Sequence, residues 1–248
     1  MTQREAARDT RQLLETAGGD VFELVILARR LVAERFFGYA REVLQRAREV
    51  APEDTPEELR RWMAEQQAYC TFKDPDLPLG PRLDRAHELL ETATDLAATS
   101  AAPALLGLAG DVWMRKWEAD AQTRHLERAL AYYRRGCAED KRGSGAEWGY
   151  NGVKAALVLD LIASLEATEA MDAGTTSDVA GIRRGEAERI RLEVVLQLPA
   201  RVGAAGDVPD SEFWPLITIA EAQFGLGHYD EASALLARAR AGREDRPW

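Results

Sequence analysis

The sequence predicts an all-α chain, a tetratricopeptide-like solenoid of about eleven helices paired into hairpins. Three observations carry that expectation. Large apolar, small and turn residues recur at matching offsets in three places along the chain, the signature of a repeat array. No stretch reads convincingly as a strand. Glycine, proline and polar clusters interrupt the helical patterning at hairpin-like intervals.

Taken in order, a first helix over about Arg4–Thr16 is predicted to cap the array within residues 1–19. The first hairpin, 20–52, carries Leu24, Leu27, Ala28, Leu31, Ala40, Leu44, Ala47 and Pro52. A stretched pair, 55–98, has helical patterning at Glu57–Thr71 and Arg82–Leu96. It is broken by the proline- and glycine-containing run from Lys73 to Pro81, which cannot continue a helix. The third pair, 101–140, shows Leu106, Ala109, Gly110, Trp113, Leu126 and Ala129 in the same register. The fourth, 146–200, joins a helix from about Asn151 to Leu165 to another from Gly185 to Leu198, through a polar connector near Asp172–Asp178. The fifth, 208–243, repeats the pattern with Leu216, Ile219, Ala220, Gly227, Tyr229, Ala232, Leu236 and Ala239. Small residues let paired helices approach closely, and glycine ends the first helix of a pair. All of this is read as one array over 1–248 whose first helices line a concave face.

With 46% hydrophobic and 30% charged residues the chain has the composition of a folded domain rather than a disordered one. The charged N-terminal run lacks the apolar stretch of a signal peptide, and Asp160 interrupts the most apolar segment. Two cysteines, Cys70 and Cys137, make neither a metal spacing nor a disulfide framework. A cytoplasmic location is the expectation. A net charge of −10 argues against a nucleic-acid binder, whose phosphate contacts need clustered lysine and arginine. Between Arg115 and Arg142, however, eight basic residues face five acids, a local excess of three positive charges. A solvated helix face accounts for most of that excess, and an anion-binding patch is the alternative.

Enzyme signatures are absent: no phosphate-binding loop, no dinucleotide fingerprint, no zinc-protease or nucleophile-elbow motif occurs. His87, His125 and His228 fall on different repeats without paired spacing, so no metal site is expected, and no cofactor is. Gly225-Leu226-Gly227 reads as an inter-helix turn. Candidate binding residues are more numerous. Trp113, Arg115, Lys116 and Trp117, with Arg124, His125, Tyr132 and Tyr133, interleave aromatic planes and cations, which suits a ring stacked near a phosphate. Tryptophans filling gaps while charged stems reach water explain the same pattern. Trp148-Gly149-Tyr150-Asn151-Gly152 opens a helix that is apolar on nearly every face and therefore buried. The unpaired N–H groups of such a helix start can serve an anion, or the stretch is an ordinary cap. Asn151 and Lys154 share one face. A lysine one turn into an apolar helix needs a partner, a ligand or solvent. Lys73 and Asp74 read from spacing as a turn pair.

Five strings together, Thr71–Ala86, Leu105–Glu118, Arg124–Gly136, Trp148–Ala163 and Trp214–Ala232, resemble the tetratricopeptide-like TRAFs-binding (TPR-S) domain. That domain occurs in the central regulatory region of apoptosis signal-regulating kinases and in stand-alone bacterial versions. The resemblance spans about Asp20–Ala239. It implies a non-catalytic regulatory module of a stress-signalling or conflict system, with a role in sensing a nucleotide-derived ligand. Carried across, its motif positions are Lys73, Asp74, Arg115, Lys116, Trp117, Arg124, His125, Tyr150 and Asn151. Lys154 departs from the family pattern, where asparagine is more frequent, which puts the ligand's identity or charge in doubt there. No kinase, protease or TIR segment is present, so a separate effector or signalling protein is the expected partner.

The sequence thus points to a cytoplasmic sensor that binds a small anionic, nucleotide-like ligand. A protein-interaction scaffold that takes a partner peptide on its concave face is the alternative. A hydrolase or transferase would need a pair of pKa-shifted carboxylates, which no motif marks.

Overall fold

The computed structural model describes residues 2–15, 20–93, 95–98, 101–142, 148–198 and 210–241. Segments 16–19, 146–147, 199–200, 208–209 and 242–243, which the sequence assigns to the ends of the cap and of the last two hairpins, lie outside them. The described residues form eleven helices and no strand. They are α1 Gln3–Glu15, α2 Val21–Ala33, α3 Phe37–Val50, α4 Glu57–Lys73, α5 Leu79–Ala93, α6 Pro103–Asp120, α7 Thr123–Arg142, α8 Trp148–Asp172, α9 Asp178–Gln197, α10 Asp210–Gly225 and α11 Tyr229–Ala241. Contacts group them into two compact units, Met1–Ala101 and Ala102–Trp248. No described helix is long and apolar enough to cross a membrane.

In unit 1 the hairpins are α2–α3 and α4–α5, with α1 lying against α3 and α2. Seven of the eight positions of the first repeat are buried, Leu24, Leu27, Ala28 and Leu31 on α2 meeting Ala40, Leu44 and Ala47 on α3, whereas Pro52 is exposed. Fully burying a leucine side chain contributes about 1.5–3 kcal/mol, and alanine at the facing positions lets the backbones close. Asp20 caps α2, its carboxylate accepting the Phe22 N–H. α5 starts at Leu79 rather than Arg82. Pro81 falls inside the first turn, where a helix tolerates a residue with no N–H to donate.

Unit 2 holds the hairpins α6–α7, α8–α9 and α10–α11, and α8 touches both α6 and α10. Helices α8 and α9 are longer than the sequence patterning suggests. α8 runs through the polar residues after Leu165 to Asp172, where Gly174 turns the chain at φ 69° and the Thr175 N–H reaches the Ala170 carbonyl. α9 begins at Asp178, seven residues before Gly185, because the Ser177 hydroxyl accepts the Ala180 N–H. Gly181 and Gly185 lie within α9 with open space beside them, at about 1 kcal/mol each in helix propensity. In the last pair Leu216, Ile219, Ala220, Ala232 and Ala239 are buried, whereas Tyr229 and Leu236 are exposed. Gly227 takes φ 84° in the turn between these helices, as its sequence position requires. Gly225 serves packing instead, since a Cβ there would lie 2.2 Å from Nε of the buried Arg191.

Candidate ligand-recognition site

The residues singled out in the sequence divide between the units: Lys73 and Asp74 belong to unit 1, the other eight to unit 2. Asp74, 1% exposed, ends α4 and ties three helices together. Its carboxylate accepts the Arg41 Nε–H from α3 at 3.0 Å and the Asp76 N–H at 3.1 Å, while its carbonyl accepts from Arg82 of α5 at 2.7 Å. Gly38 closes the same pocket, where a Cβ would stand 3.4 Å from the carboxylate. The Lys73 ammonium lies over the rings of Phe72 and Tyr69, at 5.0 and 5.9 Å.

Unit 2 builds a second polar junction where α6, α7 and α8 meet. The carboxylate of Asp111 on α6 accepts two phenolic hydrogens, from Tyr133 of α7 at 2.6 Å and from Tyr150 of α8 at 2.8 Å. Burial, and then the Asp111 charge, push the Tyr133 phenol well above the usual range, so it stays a donor. Its ring presses on Gly110, where a Cβ would come within 2.5 Å. One helical turn away, Asn151 is wholly buried between Gly107 of α6 and Gly136 of α7. A Cβ on either glycine would meet the carboxamide at 2.9 or 2.7 Å. The Asn151 amide donates to the Pro103 carbonyl at 3.1 Å, and its Oδ1 accepts no hydrogen bond from the described residues. The start of α8 is closed over as well: a Cβ on Gly149 would lie 3.0 Å from Leu198 and 3.1 Å from Thr218.

Lys154 sits one turn beyond Tyr150, its ammonium 5.5 Å from that ring and 3.4 Å from Glu221 of α10. Arg115, one turn beyond Asp111, pairs with Glu118 on its own helix. Each cation thus follows, by one turn of its own helix, a member of the Asp111–Tyr150 bond. The remaining candidates go elsewhere. Lys116 and Arg128 both stack on Trp113, at 4.3 and 4.4 Å, and Trp117 packs half-buried into the core of α6–α9. His125 is buried at the α6–α7 turn, with Nε2 3.1 Å from Asp120 and its ring 5.3 Å from Trp113. Arg124 is exposed beside Asp120. The backbone N–H of Gln122 and then His125 hold the Asp120 carboxyl below its ordinary range. Within the basic stretch, Lys116 and Arg128 are thus spent on a ring face and Arg115 and Arg134 on ion pairs, the latter with Glu186 at 2.6 Å, while the side chains of Lys141 and Arg142 lie outside the described residues.

Sequence reasoning passed over Asp111 and Glu221, and it did not assign Tyr133 or the glycines Gly107 and Gly136 to this junction. A single acid inside an apolar helix marks Asp111 only once Tyr133 and Tyr150 are known to face it. Gly107 and Gly110 stand three apart on α6, a small-residue spacing that signals a close helix contact but does not name the contact.

Antiparallel helical pairs joined through alanine and glycine contacts define a tetratricopeptide-like repeat protein. Residues 37–159 match the family described as Tetratricopeptide Repeats-Sensor, TPR-S. Two crystal structures of a putative kinesin light chain from Podosopora anserina, with nearly identical TPR-like repeats, share the fold. One, a point variant, aligns at TM-score 0.53 and 16% identity over 90% of this chain and 94% of that one. The other aligns at 0.51 and 16% over 92% and 97%. No curated protein matches the chain in sequence. These likenesses indicate no enzyme family.

Proposed function

We propose that the chain is a non-catalytic regulatory module whose unit 2 binds a small anionic, nucleotide-like ligand along α6 and α8 and passes the signal to a separate effector protein. The observation that carries this reading is the position of Lys154 and Arg115. Each is paired with an exposed carboxylate, Glu221 or Glu118, one helical turn beyond a member of the Asp111–Tyr150 bond, and Lys154 also lies over the Tyr150 ring. Exposed ion pairs are worth about 0–1 kcal/mol, so an incoming anion replaces these carboxylates at small cost. Asp111 would repel an anion placed against it. The ligand's charge therefore belongs at the two cations, and its ring or donor groups belong at Tyr150 and Asp111. Asn151 positions the start of α8 rather than touching the ligand. A ligand that bridges α6 and α8 favours one arrangement of these helices, and that differential binding is what a switch requires.

Calorimetry against nucleotides and ADP-ribose-like compounds tests the reading. A hydrogen bond to a charged group contributes about 1.5–3 kcal/mol, so Lys154→Ala and Arg115→Ala should each weaken binding by about tenfold or more. Heat from no compound, or equal heat from the double variant, overturns it. An apolar cleft of about 360 Å³ between α9, α10 and α11, lined by Val195, Leu216, Ile219 and Leu235, favours a second reading as a protein-interaction scaffold. Capture of a partner that survives removal of small molecules and is lost on Ile219→Asp would establish that one.

A further inference from the structure

We propose that the cavity between α3, α4 and α5 in unit 1 is an oxyanion site, which takes a small phosphoryl group through the guanidinium groups of Arg48, Arg60 and Arg61. The cavity measures about 230 Å³ and is bounded by Arg48 and Ala51, by Glu57, Arg60, Arg61 and Ala64, and by Thr92. Three cations against one acid leave it positive. The charges are also poorly compensated from within the protein. Arg48, half-buried, donates to the neutral carboxamide of Gln67 at 2.5 Å. Arg60 donates to the carbonyls of Thr55 at 3.0 Å, Pro52 at 2.6 Å and Glu53. Arg61 has only a loose contact with Glu65, at 3.7 Å.

Arginine's planar fork suits phosphoryl oxygens, which accept from it in pairs. Burial, and then the charge of Arg85, make the protonated state of Arg48 harder to hold, a strain that a bound anion relieves. Size limits the occupant. Pockets for drug-sized ligands span about 300–1,000 Å³, so this one matches a phosphate or diphosphate more closely than a whole nucleotide. The site belongs to unit 1 and differs in chemistry from the ligand face on α6 and α8 of unit 2.

The test is calorimetric titration of the full chain with inorganic pyrophosphate and with inorganic phosphate, at matched ionic strength so that screening is constant. Binding at one site per chain is expected, weakened about tenfold or more by Arg48→Gln and by Arg61→Gln. Glu57→Gln should tighten it, because that change removes the one acid among the described residues that line the cavity, a gain that no purely structural role produces. Helical circular dichroism at unchanged amplitude keeps the variants comparable. Absence of binding by the native chain overturns the proposal, as does binding indifferent to all three substitutions. Lys154→Ala should leave pyrophosphate binding intact, so failure here and failure of the unit 2 reading are distinguishable.

Discussion

The two units use a charged residue near a helix boundary in opposite ways. In unit 1 Asp74 is wholly buried and spends both its carboxylate and its carbonyl on α3, α5 and its own turn. In unit 2 Lys154, with its side chain 25% exposed, leans on one ring and on one exposed carboxylate. From the amino acids alone neither outcome is marked, since Asp74 reads as half of a turn pair and Lys154 as a charge within an apolar helix. A charge with several internal partners maintains the fold, whereas one with a single solvent-facing partner remains open to exchange.

The comparison would be broken most directly at Asp74. Asp74→Asn leaves half-buried Arg41 with only the looser Glu42 carboxylate, 3.6 Å away, as counter-charge, and breaking a buried pair costs up to about 3 kcal/mol. Urea denaturation should read that loss, and a cost near zero would mean that Asp74 is free for a ligand after all. Next in size is Gly110→Ala, whose new methyl group runs into the rigid Tyr133 ring. Overpacking costs about 1–3 kcal/mol, so thermal unfolding should shift downward despite alanine's better helix propensity. Lys154→Ala should cost less than about 1 kcal/mol of stability, which would sharpen the contrast with Asp74.

Two smaller effects complete the comparison. Burial pushes the Cys70 thiol in unit 1 up to about 12, so it should resist alkylation at neutral pH until the chain unfolds. In unit 2 the folded state holds the Asp120 carboxyl below its unfolded value. Its contribution is present above the ordinary carboxylate range and is lost as pH falls through the depressed value. Asp120→Asn should therefore flatten the acid side of the stability profile slightly.

Much of the hairpin pattern was legible because burial of a leucine or an alanine at a fixed offset is a local property of helix periodicity. Leu24, Leu31, Leu106, Leu126 and Leu216 are all in the core where the pattern puts them. Helix ends were less legible. The start of α9 depends on one hydroxyl-to-amide bond at Ser177, and helix propensity around Gly181 and Gly185 pointed the other way. The site was least legible. Lys116 and Trp117 carry the composition of a stacking site, but the tryptophan faces they serve are internal packing.

The sequence by itself determined the helical class, the hairpin register and the small residues at which helices meet, since each follows from side-chain size at a fixed period. Only the tertiary structure decided that Asn151 fills the gap between Gly107 and Gly136, that Asp111 gathers two phenols, and that Asp74 is consumed by Arg41 and Arg82. Those outcomes depend on which groups far apart in the chain arrive within hydrogen-bonding distance. Residue type and spacing carry no record of that partnership.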